Sequence, residues 1–100
     1  MLAEYRKFTL PGKAHLHASV KVIPTGELEV FIKEKHDELH ADFDELCFYS
    51  CGRNTELICK EHAGQDKVRW HIDLANEDAR ELAKLIESAE EEFEILMRDL

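Results

Sequence analysis

Glycine and proline are scarce, at four and two residues in a chain of 100, which leaves little room for long flexible linkers. Cysteine is present three times, an odd number that suits a disulfide framework poorly. No stretch approaches the roughly 18 apolar residues needed to span a bilayer. The opening residues, Met1 to Lys7, show no basic segment followed by an apolar run, so no secretory signal is expected. These absences predict a reduced, cytoplasmic protein. Basic charge is the other deficit: 13 lysines and arginines stand against 22 aspartates and glutamates, a net charge of −9. Direct nucleic-acid binding and attraction to an anionic membrane are both disfavoured, because each starts from a positive face. There is no phosphate-binding glycine loop and no H-E-x-x-H pattern. An enzyme is therefore not the favoured reading, and no cofactor is called for.

What is present reads as one folded domain over residues 1–100. Hydrophobic residues make up 44% and charged residues 35%, too apolar for a disordered chain. Period-2 alternation marks the strands. Leu16, Ala18, Val20 and Val22 point one way while His15, His17, Ser19 and Lys21 point the other. Pro24-Thr25-Gly26-Glu27 is turn chemistry, and Leu28, Val30 and Ile32 resume the alternation, which predicts a hairpin. Tyr5 to Leu10 is a further strand whose mixed pattern suits a sheet edge. Residues 36–46 are ambiguous: Leu39, Phe43 and Leu46 have helical spacing, yet Leu39, Ala41 and Phe43 also alternate. A short helix near 37–46 is one expectation. Cys47 to Ser50 and Thr55 to Lys60 read as strands around a turn at Cys51-Gly52-Arg53-Asn54, and a second turn is expected at Ala63-Gly64-Gln65-Asp66. Val68, Trp70, Ile72 and Leu74 then alternate with Arg69, His71 and Asp73.

A long helix is expected over 76–100. Asn76 suits the N-cap, and Glu77 and Asp78 suit the positive end of the helix dipole. Ala79, Leu82, Ile86, Ala89, Phe93, Leu96 and Leu100 recur at intervals of three and four. The predicted class is α+β: an antiparallel sheet of about five to six strands, covered on one face by this helix. Its core should contain Leu16, Val20, Val22, Val30, Ile32, Val68, Trp70, Ile72, Leu82, Ile86 and Phe93. The solvated face should carry His15, His17, Lys21, Arg69 and His71. The helix is longer than a typical strand, so its end should overhang. Phe93, Leu96, Met97 and Leu100 are then candidates for a helix interface, including that of a homodimer.

The charge is unevenly spread. Residues 1–35 hold six basic and four acidic groups, residues 36–46 hold five acidic and none basic, and residues 77–100 hold nine acidic and three basic. Asp37, Glu38, Asp42, Asp44 and Glu45, with Glu87, Glu90, Glu91 and Glu94, are the candidate partner-binding residues. Carboxylates gathered in this way steer toward a basic protein surface. Proteins that handle nucleic acid are abundant carriers of such surfaces, and an acidic module can occupy one by placing carboxylates where phosphates would lie.

Two other chemistries have candidate residues. Cys47, Cys51, Cys59 and His62 form a C-x3-C-x7-C-x2-H series, a legitimate zinc donor set on an unusual spacing. In an extended segment Cys47 and Cys51 would stand about 13 Å apart, so zinc would need Cys51 to fold back. His36, His40 and Asp44 would share a stripe on a helix. The exposed histidines His15, His17 and His71 are candidates for acid–base work, and Cys51 for a nucleophile beside His62 or His71.

The favoured expectation is a small acidic, non-catalytic protein-binding module, an inhibitor or regulator of a basic protein complex. A zinc-binding domain and a histidine-based enzyme are the alternatives. In length, acidic bias and lack of a reaction motif, the chain is similar to small phage-encoded counter-defence proteins, anti-CRISPR inhibitors among them. That likeness implies a protein partner and no chemistry of its own.

Overall fold

Seven strands and one long helix follow one another along the chain in a computed structural model that describes residues 2–61 and 67–98. The strands are β1 (Glu4–Thr9), β2 (His17–Ile23), β3 (Glu27–Ile32), β4 (Asp37–Asp42), β5 (Leu46–Cys51), β6 (Asn54–Lys60) and β7 (Val68–Ala75). The helix α1 spans Asn76–Arg98. The α+β class is as expected. The expected single sheet of five to six strands is corrected: a four-stranded sheet, β1-β2-β3-β4, is followed by a three-stranded sheet, β5-β6-β7. All pairings are antiparallel.

The change of sheet occurs where the sequence was ambiguous. Residues 37–46 do not form the short helix that the Leu39/Phe43/Leu46 spacing allows. Asp37–Asp42 pairs along β3 as a strand, and only Phe43–Glu45 coils, as one 3-10 turn. The Glu45 carboxylate accepts from the Asp42 backbone N–H at 2.9 Å, which holds the turn. The chain thereby leaves one sheet and enters the other.

Alternation explains the core. Ala18, Val20 and Val22 of β2 and Leu28, Val30 and Ile32 of β3 are buried, as are Leu57 of β6 and Ile72 and Leu74 of β7. Helix α1 closes the cluster with Ala79, Leu82, Ile86 and Ala89, packing on β2 in one sheet and on β6 and β7 in the other. It therefore bridges two sheets. Four core expectations are corrected. Val68, at the start of β7, is 45% exposed, and Phe93 is 38% exposed. Leu16 and Trp70 are half-buried at the cluster's margin.

Turns and caps lock this order. The β5–β6 hairpin turns at Gly52, whose φ of +65° suits a residue without a side chain. Asn76, expected as an N-cap, reaches across to that hairpin. Its amide donates to the Gly52 carbonyl at 3.0 Å, and its side-chain oxygen accepts from the Thr55 hydroxyl at 2.8 Å. Thr55 is a buried polar residue, and this bond satisfies it. The expected turn at 63–66 lies outside the described residues. Among the described residues no helix is long and apolar enough to cross a membrane.

Candidate functional site

The free end of α1 is where sequence and packing disagree most. Ala89 is the last buried residue of the helix, and residues 90–98 are all exposed. At about 1.5 Å per residue they extend roughly 13 Å beyond the core contact. Phe93, Ile95, Leu96 and Met97 are exposed large apolar side chains on this stretch. Three of these four were expected to overhang; Ile95 was not singled out. It lies one residue before Leu96 and lines the same groove. Leu100 lies outside the described residues.

Carboxylates share the same stretch. Glu87, Glu90, Glu91 and Glu94 are exposed and fall at i, i+3, i+4 and i+7, one face of a helix. Like charges at i, i+4 cost a helix about 0.2–0.5 kcal/mol per pair. The Glu87–Glu91 and Glu90–Glu94 spacings each carry that cost.

Two hollows flank the overhang. On one side, Phe93, Glu90 and Glu94 face Phe43, Asp44 and Gly26 across a notch of about 280 Å³. This notch joins the two acidic segments, since Asp44 comes from residues 36–46 and the glutamates from α1. On the other side a groove of about 710 Å³ runs between α1 and the start of β1 with the end of β2. Leu85, Ala89, Ile95 and Leu96 form its helical wall, with Leu2, Val22 and Pro24 opposite and Glu4 and Glu92 at its polar positions.

The other acidic candidates are dispersed. Asp37 borders a gap between the sheets that is lined by Leu10, Ile32, Leu39 and Trp70. Glu38 lies on the outer face of the four-stranded sheet with Tyr5, Lys7, Lys21 and Phe31. Asp42 is exposed beside the 3-10 turn. Glu45 works inside the fold: its side chain is 9% exposed and pairs with Arg69 at 3.3 Å.

The cysteine series is spread out by strand register. Cys47 and Cys51 lie four residues apart in extended β5, about 13 Å at the usual strand rise. Cys59 pairs with Leu46, so it shares a face with Leu46 and not with Cys47. Burial pushes the Cys59 thiol up from its ordinary range. His62 lies outside the described residues. Among the described residues, no three His, Cys, Asp or Glu side chains gather as a metal-binding group.

The histidines are equally separated. His36 sits in a turn before β4 and His40 within it, so the helical stripe with Asp44 does not form. His17 is in one sheet and His71 in the other. Each has its own carboxylate: His71 Nδ1 lies 3.1 Å from Glu56, and His17 Nδ1 lies 2.6 Å from Glu34. Glu34 also accepts the His17 backbone N–H at 2.7 Å. The backbone bond first, and then the ring, pull the Glu34 carboxyl down to about 2. Cys51 pairs with Asn54, which pairs with Ala75, four residues along β7 from His71. That distance is about 13 Å, too far for nucleophile and base. Comparison of the chain with known protein families, curated proteins and solved structures finds no match, so its function is read from its own geometry.

Proposed function

We propose that this chain is a non-catalytic protein-binding module that inhibits or regulates a basic protein, of the kind that handles nucleic acid, and that the free end of α1 is its contact surface. The observation that supports this is the coincidence of charge and exposure. None of residues 90–98 is buried, yet they hold four carboxylates and four large apolar side chains. A surface of this composition costs stability in the isolated chain. A partner carrying lysines and arginines around an apolar centre offsets both costs. The partner's phosphate-binding surface would then meet carboxylates at Glu87, Glu90, Glu91, Glu94 and Asp44. Affinity capture from a nuclease-treated lysate tests this, with the wild-type chain beside one carrying Glu→Lys at 87, 90, 91 and 94. A basic protein retained by the wild type and lost by the reversed variant is the expected result. Equal recovery by both, or capture that disappears with nuclease, overturns the proposal.

A further inference from the structure

The overhang has two sides, and the groove side has the shape of a helix seat. Leu85, Ser88, Ala89, Glu92, Ile95 and Leu96 line it from α1. Their spacing is i, i+3, i+4, i+7, i+10 and i+11, a single stripe down the helix. It borders the stripe that packs on the sheets through Leu82 and Ile86 and shares Ala89 and half-buried Leu85 with that core. From Leu85 to Leu96 it extends about 16 Å, or three turns. Ser88 and Ala89 are small and lie near its middle, where a partner's side chain can seat while the two helix axes approach to about 8–10 Å. Val22 and Pro24, both buried, form the floor.

Charge decides the occupant. The described residues lining the groove include Glu4 and Glu92 and no lysine or arginine. A second copy of this chain seated groove to groove would bring its own Glu4 and Glu92 against these, in a molecule that already carries −9. A basic helix would instead place its cations against Glu92, and against Glu4 beside its 3.5 Å pairing with Arg6, and its apolar face on the stripe. We infer that this groove takes an amphipathic, lysine- or arginine-bearing helix of the partner protein, packed alongside α1. The inference rests on the protein-binding reading above and narrows it to one groove and one secondary structure.

The test uses two labelled synthetic peptides of lysine and leucine with the same composition. In one, the leucines fall at i, i+3, i+4 and i+7. In the other they are scrambled so that no helical face is apolar. Binding is followed by fluorescence anisotropy with the whole chain, with the double variant Ile95→Ser/Leu96→Ser, and with the reversal variant Glu90→Lys/Glu94→Lys. Both sites are exposed, and circular dichroism checks the fold of each variant. The patterned peptide should bind the wild type at least about tenfold more tightly than the scrambled one. It should lose about that factor in the serine variant, and its contact should shift the backbone amide signals of residues 85–96. Equal binding of the two peptides, both lost on charge reversal, overturns the groove while leaving the acidic-surface reading standing. Indifference to peptide pattern, serines and charge reversal overturns both. A wild-type dimer that the serine variant dissociates would assign the groove to a second copy and overturn the inference.

Discussion

Trp70 donates its indole N–H to the backbone carbonyl of His40 at 2.9 Å, tying β7 of the three-stranded sheet to β4 of the four-stranded one. Close by, Arg69 meets Glu45, whose other oxygen holds the 3-10 turn between the sheets. Two neighbouring residues of β7 therefore fasten the place where the chain changes sheet. Trp70→Phe removes the donor and keeps an aromatic ring. It should cost about 0.5–1.5 kcal/mol, a fall of roughly 4–8 °C in Tm per kcal/mol for a domain of this size. A Tm equal to that of the wild type would show that the bond contributes nothing.

The core is centred on side chains from both sheets and the helix. Leu74 and Leu82 are fully buried. Changing either to alanine should cost about 2–5 kcal/mol in denaturant unfolding. Val68→Ala and Leu96→Ala, at exposed positions, should each change stability by less than about 0.5 kcal/mol. The reverse ranking would place the core elsewhere.

Thiol reactivity should follow exposure in strand register. Cys51 is exposed, Cys47 half-buried and Cys59 buried. A thiol reagent at mild alkaline pH should modify Cys51 first and Cys47 more slowly, and it should reach Cys59 only on unfolding, since that side chain is fully buried and burial pushes its thiol up. Fast modification of Cys59 in the folded chain, mapped by mass spectrometry, would contradict its placement.

Acid should act through Glu34. Its carboxyl lies at about 2, below the ordinary 4.5, because the folded chain gives its ionised form the His17 backbone N–H and ring. A depressed carboxylate stabilises the fold fully above the unfolded value and loses that contribution as pH falls through the folded one. The window is thus from about pH 4.5 down to about 2. A carboxyl-carbon NMR titration should place the Glu34 midpoint near the lower figure. Glu34→Gln should flatten the pH dependence of stability across the window. A midpoint at 4.5 would mean that the pairing with His17 does not persist in solution.

Local periodicity carried most of the elements. The Pro24–Glu27 turn, the inward run Leu28, Val30 and Ile32, and the helix beginning at Asn76 are where alternation and turn chemistry put them. The switch between sheets was not legible. Leu39, Ala41 and Phe43 alternate as in one continuous strand, and nothing in that pattern marks the 3-10 turn at Phe43, which depends on Glu45 reaching back to Asp42. A single sheet would place Lys21 and His71 on one solvated face; in two sheets they part. The sequence pattern also shows the apolar residues of α1 continuing to Leu96, although the last buried one is Ala89. The notch between Phe43 and Phe93 was not legible, because it joins residues 50 positions apart.

The central claim is that the acidic free end of α1 leads binding to a basic protein. The most direct measurement is the association rate with the captured partner, for the wild type and for the Glu→Lys variant at 87, 90, 91 and 94, at low and high salt. The Debye length shrinks from about 10 Å at 0.1 M to about 3 Å at 1 M. The wild-type on-rate should fall steeply over that range while the off-rate changes less, and the variant's on-rate should already be low at 0.1 M. An on-rate indifferent to both salt and charge reversal would contradict the account, leaving those glutamates as a solvated surface only.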